Sequence, residues 1–464
     1  MSATRSGPAA AGTAPEIGGG RPGLLRVLGF GDVVGIVVGS VVGSGIFIVP
    51  AAIALEVHAP LLIMVVWVVG GALSLAGAFC FAELGGMFPQ AGGMYVYLRE
   101  AYGPPVAFLF GWTLFLVIDT GAMAALASAF ATKYLPHFVD LPPAGTRLVS
   151  VAFIAFLAAV NLLGVRHGAN LQNGLTVIKL GSIVAVSVLV FAFGRGNTAN
   201  FVSPPVEPLS LDLLGRFSVA LIACLWAYKG WEAATFSAGE LRNPQRDLAL
   251  GLVVGNLIVV ALYLVTNLAY LWVVPASEIA ASPRIAAEAL TRSVGTGSAS
   301  ALSLLILLAI LGAANTNVLT SPRVLFAMAR DGLFFRRVCH VHPRFHTPDA
   351  AILALAGWAT VLTLSGTFEQ LLAFVVFGQW IFFGLTASAV LVLRRRRPDL
   401  SRPVVTWGYP ATPVLFIAAA VFIAVSAVMA SPWNAAAGLG LIVLGLPAYA
   451  LWRSAGPVRE PDAR

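Results

Sequence analysis

Gly39-Ser40-Val41-Val42-Gly43-Ser44-Gly45-Ile46-Phe47, followed by Pro50, interrupts an apolar run that begins near residue 27. Gly31, Gly35, Gly39 and Gly43 recur every four residues, the spacing of a small-residue face on which another helix can pack. Gly45 lies off that stripe and completes a Gly-Ser-Gly at the middle of the run, so local unwinding of the helix fits as well. A second run is interrupted in a similar way. Trp226-Ala227-Tyr228-Lys229-Gly230-Trp231-Glu232 places two charges and a glycine near the middle of residues 213–240. Aromatic belts form at membrane surfaces, whereas charges at mid-span point to a break lining a cavity.

Around these two stretches the chain is apolar nearly throughout. Of its 464 residues, 59% are hydrophobic and 10% charged, where a soluble domain carries about 25% charged residues. The mean hydropathy is +0.89. Such a composition excludes a soluble enzyme, a disordered chain and a fibrous protein. A bilayer core about 30 Å thick needs roughly 20 apolar residues per helix. Runs of that kind occupy 27–55, 60–88, 105–132, 147–165, 172–194, 213–240, 248–274, 298–329, 348–365, 370–393, 411–430 and 434–453. The pattern predicts an all-α integral membrane protein with twelve transmembrane helices. Residues 1–26 are expected to be a disordered cytoplasmic tail, 27–455 the transmembrane domain and 456–464 a cytoplasmic C-terminal tail. The first tail lacks the apolar stretch and cleavage site of a signal peptide. Arg336-Arg337 and Arg394-Arg395-Arg396-Arg397 fall on the same side as both termini, which places the termini in the cytoplasm of a multi-pass cell-membrane protein. The net charge of +8 then flanks membrane spans and does not signal nucleic acid.

The two interruptions occupy the first spans of two successive five-span sets, spans 1–5 and 6–10. Five is odd, so the second set is inverted. Paired interruptions in inverted halves point to a transport site at the midplane. A broken helix bares N–H groups at one half-helix end and C=O groups at the other. The first can hold a carboxylate and the second an ammonium, so a zwitterion is the natural ligand.

Among 28 basic residues only Lys133, Lys179 and Lys229 are lysine, and the last two lie within spans. Arginine stays charged, whereas a buried lysine can release its proton. For Lys179 a functional role stands beside an ion pair or a snorkelling stem.

The ordered set of motifs resembles the amino acid–polyamine–organocation superfamily of permeases, in particular the L-type amino acid transporter branch and its bacterial relatives. Gly43-Ser44-Gly45-Ile46-Phe47 is similar to the first-span motif of that family. Ala82-Glu83-Leu84-Gly85, Gly92-Gly93-Met94-Tyr95 and Glu100-Ala101-Tyr102-Gly103-Pro104 match its second-to-third-span connector. Asn161-Leu162-Leu163-Gly164-Val165, Gln172-Asn173 and Lys179 match spans 4 and 5. Glu240-Leu241-Arg242-Asn243-Pro244-Gln245-Arg246 follows span 6. Gly312, Asn315, Thr320, Ser321, Arg323 and Ala329-Arg330-Asp331-Gly332 mark span 8, and Arg397-Pro398-Asp399 and Gly408-Tyr409-Pro410 precede span 11.

The resemblance implies the inverted-repeat fold of the bacterial leucine transporter, with spans 11 and 12 added. It implies a secondary active carrier of α-amino acids working by alternating access, independent of sodium, as a proton-coupled symporter or an exchanger. The substrate site would comprise Val41, Gly43, Ser44, Gly45, Ile46, Trp226, Tyr228, Lys229 and Gly230. Its carboxylate would meet N–H groups near Ser44 and Gly45, and its ammonium carbonyls near Val41, Trp226 and Lys229. Trp226 matches an aromatic gate. Lys179 matches a span-5 lysine that replaces a sodium ion by bridging spans 1 and 8, where the aligned polar residues are Asn317 and Thr320. Relatives often carry Gly or Asp in place of Lys229, so a carrier of acidic amino acids or other organic anions is the alternative, and a non-transporting amino-acid sensor a further one. The segment 133–147 has no cysteine, so a disulfide-linked heavy chain is not expected.

Other features imply neither cofactor nor metal. His340, His342 and His346 sit in an arginine-rich loop and read as solvated. Asp119, in mid span 3, is an intramembrane acid, for which a functional role and a pairing with a neighbouring polar group stand open side by side. Glu83 reads as one half of an ion pair. No phosphate-binding Gly-x-x-x-x-Gly-Lys-Ser/Thr loop is present. An intramembrane hydrolase would need paired catalytic groups, and Asp119 and Glu232 lie in separate spans, so no enzyme is expected.

Overall fold

The computed structural model describes residues 23–43, 45–202, 210–282, 284–295, 298–365, 368–430 and 432–454. Ser44 and most of the two expected tails lie outside the described residues. Among those described, regular structure is entirely helical, apart from a single parallel backbone bridge between Leu28 and Leu241.

The chain opens with α1 (Phe30–Val41) and α2 (Gly45–Val57), whose axes are bent by 46° across the Gly43–Gly45 break. Next come α3 (Pro60–Met87), the short α4 (Met94–Tyr102), and α5 (Pro104–Thr113) with α6 (Asp119–Ala129). A wide π turn, Leu114–Ile118, joins α5 to α6, and a second, Phe130–Tyr134, extends the rod to His137. The next long helices are α7 (Pro143–Leu162) and α8 (Val165–Phe193). Then α9 (Leu211–Ala227) breaks before the single turn of α10 (Ala233–Phe236). After α11 (Pro244–Val273), two short helices, α12 (Ala276–Ala281) and α13 (Ile285–Val294), precede α14 (Ser298–Thr320) and α15 (Pro322–Arg330). The chain finishes with α16 (Asp349–Ser365), α17 (Phe368–Arg396), α18 (Ala411–Ala430), α19 (Pro432–Val443) and α20 (Gly445–Ser454). Proline stands at the start of α3, α5, α7, α11 and α15. There its fixed φ suits the first turn and its missing N–H costs no hydrogen bond.

Eight of the described helical runs are long and apolar enough to cross a bilayer, and the bent pair α1–α2 makes a ninth if it counts as one span. Nine of the twelve apolar runs read from the sequence coincide with these; the runs 213–240, 348–365 and 370–393 fall on α9–α10, α16 and α17, which are not among them.

Polar side chains tie the helices where apolar packing alone would not choose partners. Asn161 Nδ2 donates to Asn315 Oδ1 at 2.9 Å, and Asn315 Nδ2 to Gln172 Oε1 at 2.9 Å, joining α7, α14 and α8. Such interhelical hydrogen bonds are a main source of specificity in lipid. Glu83, buried in α3, receives two hydrogen bonds from Arg394 of α17 at 2.9 and 2.7 Å and one from the Thr406 N–H at 2.7 Å.

Candidate functional site

The two breaks face one another. At the first, α1 ends where the Val42 N–H closes on the Val38 carbonyl at 2.8 Å, and helix resumes at Gly45. At the second, α9 ends with Tyr228 N–H on the Cys224 carbonyl at 3.1 Å, and Gly230 then turns the backbone with φ +121°. A side chain is strained at that φ, and no room exists for one. A Cβ on Gly230 would lie 2.5 Å from Ser40 Oγ, and one on Gly45 3.0 Å from Ala227 Cβ. Gly230 therefore presses on Ser40, and Gly45 on Ala227, which brings both broken ends into one region.

Two side chains hold the bared carbonyls. Lys179 Nζ donates to Gly39 O at 2.7 Å and to Val42 O at 3.0 Å, and the residue is 3% exposed. Its stem crosses Gly312 of α14, where an added Cβ would lie 2.6 Å from Cε. Lys179 thus stands between α1 and α14, with its ammonium on the negative end of the α1 dipole. No hydrogen bond joins it to Asn317 or Thr320 among the described residues. The Thr320 hydroxyl donates instead to Thr316 O at 2.8 Å. Tyr263 of α11 reaches both broken helices, its Oη lying 3.0 Å from Val41 O and 3.2 Å from Ala227 O. Its one proton is shared between the C-terminal ends of α1 and α9.

Over the breaks lies a cavity of about 310 Å³. Of the residues singled out in the sequence, Val41, Gly43, Gly45, Trp226, Lys229, Gly230 and Asn317 line it. Ile46 and Tyr228 are buried behind its wall, where the Tyr228 hydroxyl donates to Trp67 O at 3.2 Å. Trp226 is 42% exposed. Asp119 also lines the cavity, at the end of the first π turn, and accepts from Ser321 Oγ at 2.5 Å. Glu232 lines it too, yet it does not pair with Lys229. Its carboxylate accepts from the Gly230 N–H at 3.0 Å and from Gln379 Nε2 at 2.6 Å. The sequence reading missed Ser40 and Phe236 of the wall, and Tyr263 and Gln379 behind it. Tyr263 sits inside an unbroken apolar helix and carried no signal. Ser40 lay within the quoted Gly-Ser stretch, which could have marked it.

The cavity reaches Lys133 and Tyr134 at one end of the bundle. The opposite end is sealed. Val27 and Leu28 N–H groups both donate to the Glu240 carbonyl at 3.0 Å, and the Arg242 N–H donates to Leu28 O at 2.9 Å. Beneath them Arg323 holds the Glu240 carboxylate with two hydrogen bonds of 2.9 Å, both residues being almost fully buried. Asp32, in the first turn of α1, is bound by Arg166 at 2.9 Å and Asn173 at 2.7 Å.

A family model described as amino acid permease matches residues 28–446. Over 437 residues the chain is 33% identical to the b(0,+)-type amino acid transporter 1 of Homo sapiens, covering 92% of this chain and 88% of the relative. It is 30% identical over 430 residues to the serine/threonine exchanger SteT of Bacillus subtilis, covering 92% of this chain and 97% of that one. The cystine/glutamate transporter of Homo sapiens is 30% identical over 423 residues, covering 90% and 83% of the two chains.

Proposed function

Because the chain belongs to the amino acid permease family, we propose that it moves α-amino acids by alternating access, without sodium, by exchange or proton symport. Membership makes it a multi-pass membrane transporter of amino acids and not an enzyme. In the proposed arrangement twelve helices span the membrane, spans 1–5 and 6–10 form inverted repeats as in the bacterial leucine transporter, and both termini are cytoplasmic.

The contact of the two breaks, Ser40 on Gly230 and Gly45 on Ala227 beneath one cavity, carries this reading. The first turn of α2 has N–H groups without intrahelical acceptors, which suit a substrate carboxylate. The carbonyl ends of α1 and α9 suit an ammonium. Each bound carbonyl there retains a second lone pair beside the Tyr263 or Lys179 bond. Lys179 supplies at Gly39 and Val42 the positive charge that a sodium ion would supply. With cytoplasmic termini, the sealed end at Glu240 and Arg323 faces inward and the Lys133 end outward, so the described conformation is outward-facing. The cysteine-free segment 133–147 supports a carrier that works without a disulfide-linked heavy chain.

Proteoliposomes test the reading. Labelled amino acid should enter in exchange for internal unlabelled amino acid, at an equal rate when choline replaces sodium. Gly45→Leu should abolish binding in protein that still folds. Thermal stabilisation by amino acids without flux would identify a sensor, and loss of uptake in choline would overturn the role given to Lys179.

A further inference from the structure

We infer that the end of α17 and its connection to α18 form a docking ledge for the headgroup of an anionic phospholipid, engaged by Arg395 and Arg397 with Trp407 in its glycerol region. α17 closes on Arg394-Arg395-Arg396-Arg397, and Arg402 follows in the connection. A charge that merely flanks a span has only to stay out of the hydrocarbon, and any loop serves for that. This connection is held in place. The Arg402 guanidinium donates to Leu393 O at 3.2 Å, Arg397 O at 2.8 Å, Pro398 O at 3.0 Å and Leu400 O at 2.8 Å. It thereby caps the carbonyl end of α17, a task that the last basic residues of a helix otherwise perform. Arg394 is spent on Glu83, and its guanidinium lies 3.7 Å from the centroid of the Tyr409 ring. Arg396 reaches the Ala101 carbonyl at 3.4 Å. Arg395 and Arg397 are exposed, and their side chains have no hydrogen bond or ion pair among the described residues. Successive helical residues turn by about 100°, so these two stand on either side of the Arg394–Tyr409 stack.

The charges of the ledge do not cancel. Arg394, Arg395, Arg396, Arg397 and Arg402 stand against Glu83 and Asp399, a formal net of +3. At the neighbouring ends of α4 and α15, Arg99 and Arg330 balance Glu100 and Asp331, so the excess stays. A guanidinium meets a phosphate with two parallel N–H donors and is weakly hydrated, which suits it to a lipid phosphate.

Depth fits the same occupant. The Thr406 N–H donates to Glu83 at 2.7 Å and its hydroxyl to Phe79 O at 3.3 Å, which lays the connection along α3. The Trp407 ring follows, 6.1 Å from that of Phe79 and 75% exposed, with exposed Val405 and Tyr409 on either side. Phe79 stands eight residues before the end of α3, about 12 Å along the axis. Arg394 meets Glu83, one turn nearer that end, and the free arginines come at or beyond Arg394. An indole lying deeper and guanidinium groups lying shallower reproduce the order of glycerol and phosphate in a leaflet, and basic clusters beside a span draw anionic lipids.

Native mass spectrometry and thermal unfolding of the purified protein in neutral micelles test the inference, with dioleoylphosphatidylglycerol and dioleoylphosphatidylcholine as probes. Phosphatidylglycerol should be retained over phosphatidylcholine by about tenfold or more and should raise the unfolding midpoint further. Arg395→Gln and Arg397→Gln should each lower that preference by about fivefold, the effect of one arginine at an anionic surface. Both residues are exposed, so their replacement leaves the core intact. Trp407→Ala should weaken retention of both lipids. The double variant Arg336→Gln, Arg337→Gln, at two exposed arginines on the same side of the membrane by the charge pattern, should leave the preference unchanged. A wild-type preference near one, a preference untouched by Arg395→Gln and Arg397→Gln, or retention untouched by Trp407→Ala would overturn the inference. An equal fall in the Arg336, Arg337 double variant would overturn it in favour of a diffuse surface charge. An equal rise of the midpoint with inorganic phosphate would overturn it by assigning the arginines to a free anion.

Discussion

Lys179 Nζ lies 2.7 Å from the carbonyl oxygen of Gly39, 140 residues earlier in the chain. The contact fastens α8 to the last turn of α1, where the carbonyls have no helical partner. A cation at a helix C-terminus is favoured by the dipole as well as by the hydrogen bonds.

Replacing that cation should strip two buried carbonyls of their donor. Lys179→Met is expected to destabilise the protein by about 1–3 kcal/mol and to remove most exchange activity. Lys179→Arg should not restore activity, because Gly312 leaves no space beside the stem for a broader head group. Thermal unfolding and counterflow together check this. Full activity in Lys179→Met would show that the carbonyls need no cation.

The meeting of the breaks is tested at Gly230. Gly230→Ala should cost about 1–3 kcal/mol for the unusual backbone conformation and add a clash with Ser40 Oγ. Ser40→Gly should relieve the clash but not the backbone strain, so the double variant is expected to recover part of the lost substrate binding. Purely additive losses would mean that the two residues do not touch.

Tyr263→Phe removes one hydroxyl that serves the ends of two helices. A loss of about 1–3 kcal/mol in stability is expected from the unsatisfied carbonyls. Weaker stabilisation by substrate should accompany it in thermal-shift titrations, since the freed half-helix ends line the site. Unaltered unfolding and unaltered titrations would count against a shared anchor.

The sealed end offers a double-mutant cycle. Glu240→Gln or Arg323→Met alone leaves a buried partner charge and should cost about 3–5 kcal/mol. The double variant should lose less than the sum, because no charge is then left alone. Reactivity of a cysteine introduced at Ala91, which packs on Gly239 beside the seal, should rise in either single variant. Additive losses with no gain in reactivity would refute a gate at this pair.

Composition and run length alone fix the helical material of the protein and the places where it is interrupted. Runs of about 20 apolar residues can satisfy their backbone in lipid only as helices, so the helical class follows from composition and run length. Glycines and charges at the middle of two such runs conflict with that rule, and the conflict makes both breaks legible in the sequence. Lys179 and Lys229 stood out for the same reason.

What each of these residues touches follows from helix packing alone. Helical periodicity says which residues share a face but not which helix the face meets. In lipid, moreover, apolar faces are nearly interchangeable. Hence Lys179 could be read as a snorkelling stem until α1 and α14 were found on either side of it. Glu232 stands three residues from Lys229, a spacing that pairs side chains on an unbroken helix. The turn at Gly230 instead directs its carboxylate to a backbone N–H and to Gln379, 147 residues away. Tyr263 shows no irregularity in its own helix, and its part depends wholly on two breaks located elsewhere in the chain. A hydrogen bond between distant helices leaves no trace in either local pattern, because each side chain is ordinary where it stands and only their approach in space makes them partners.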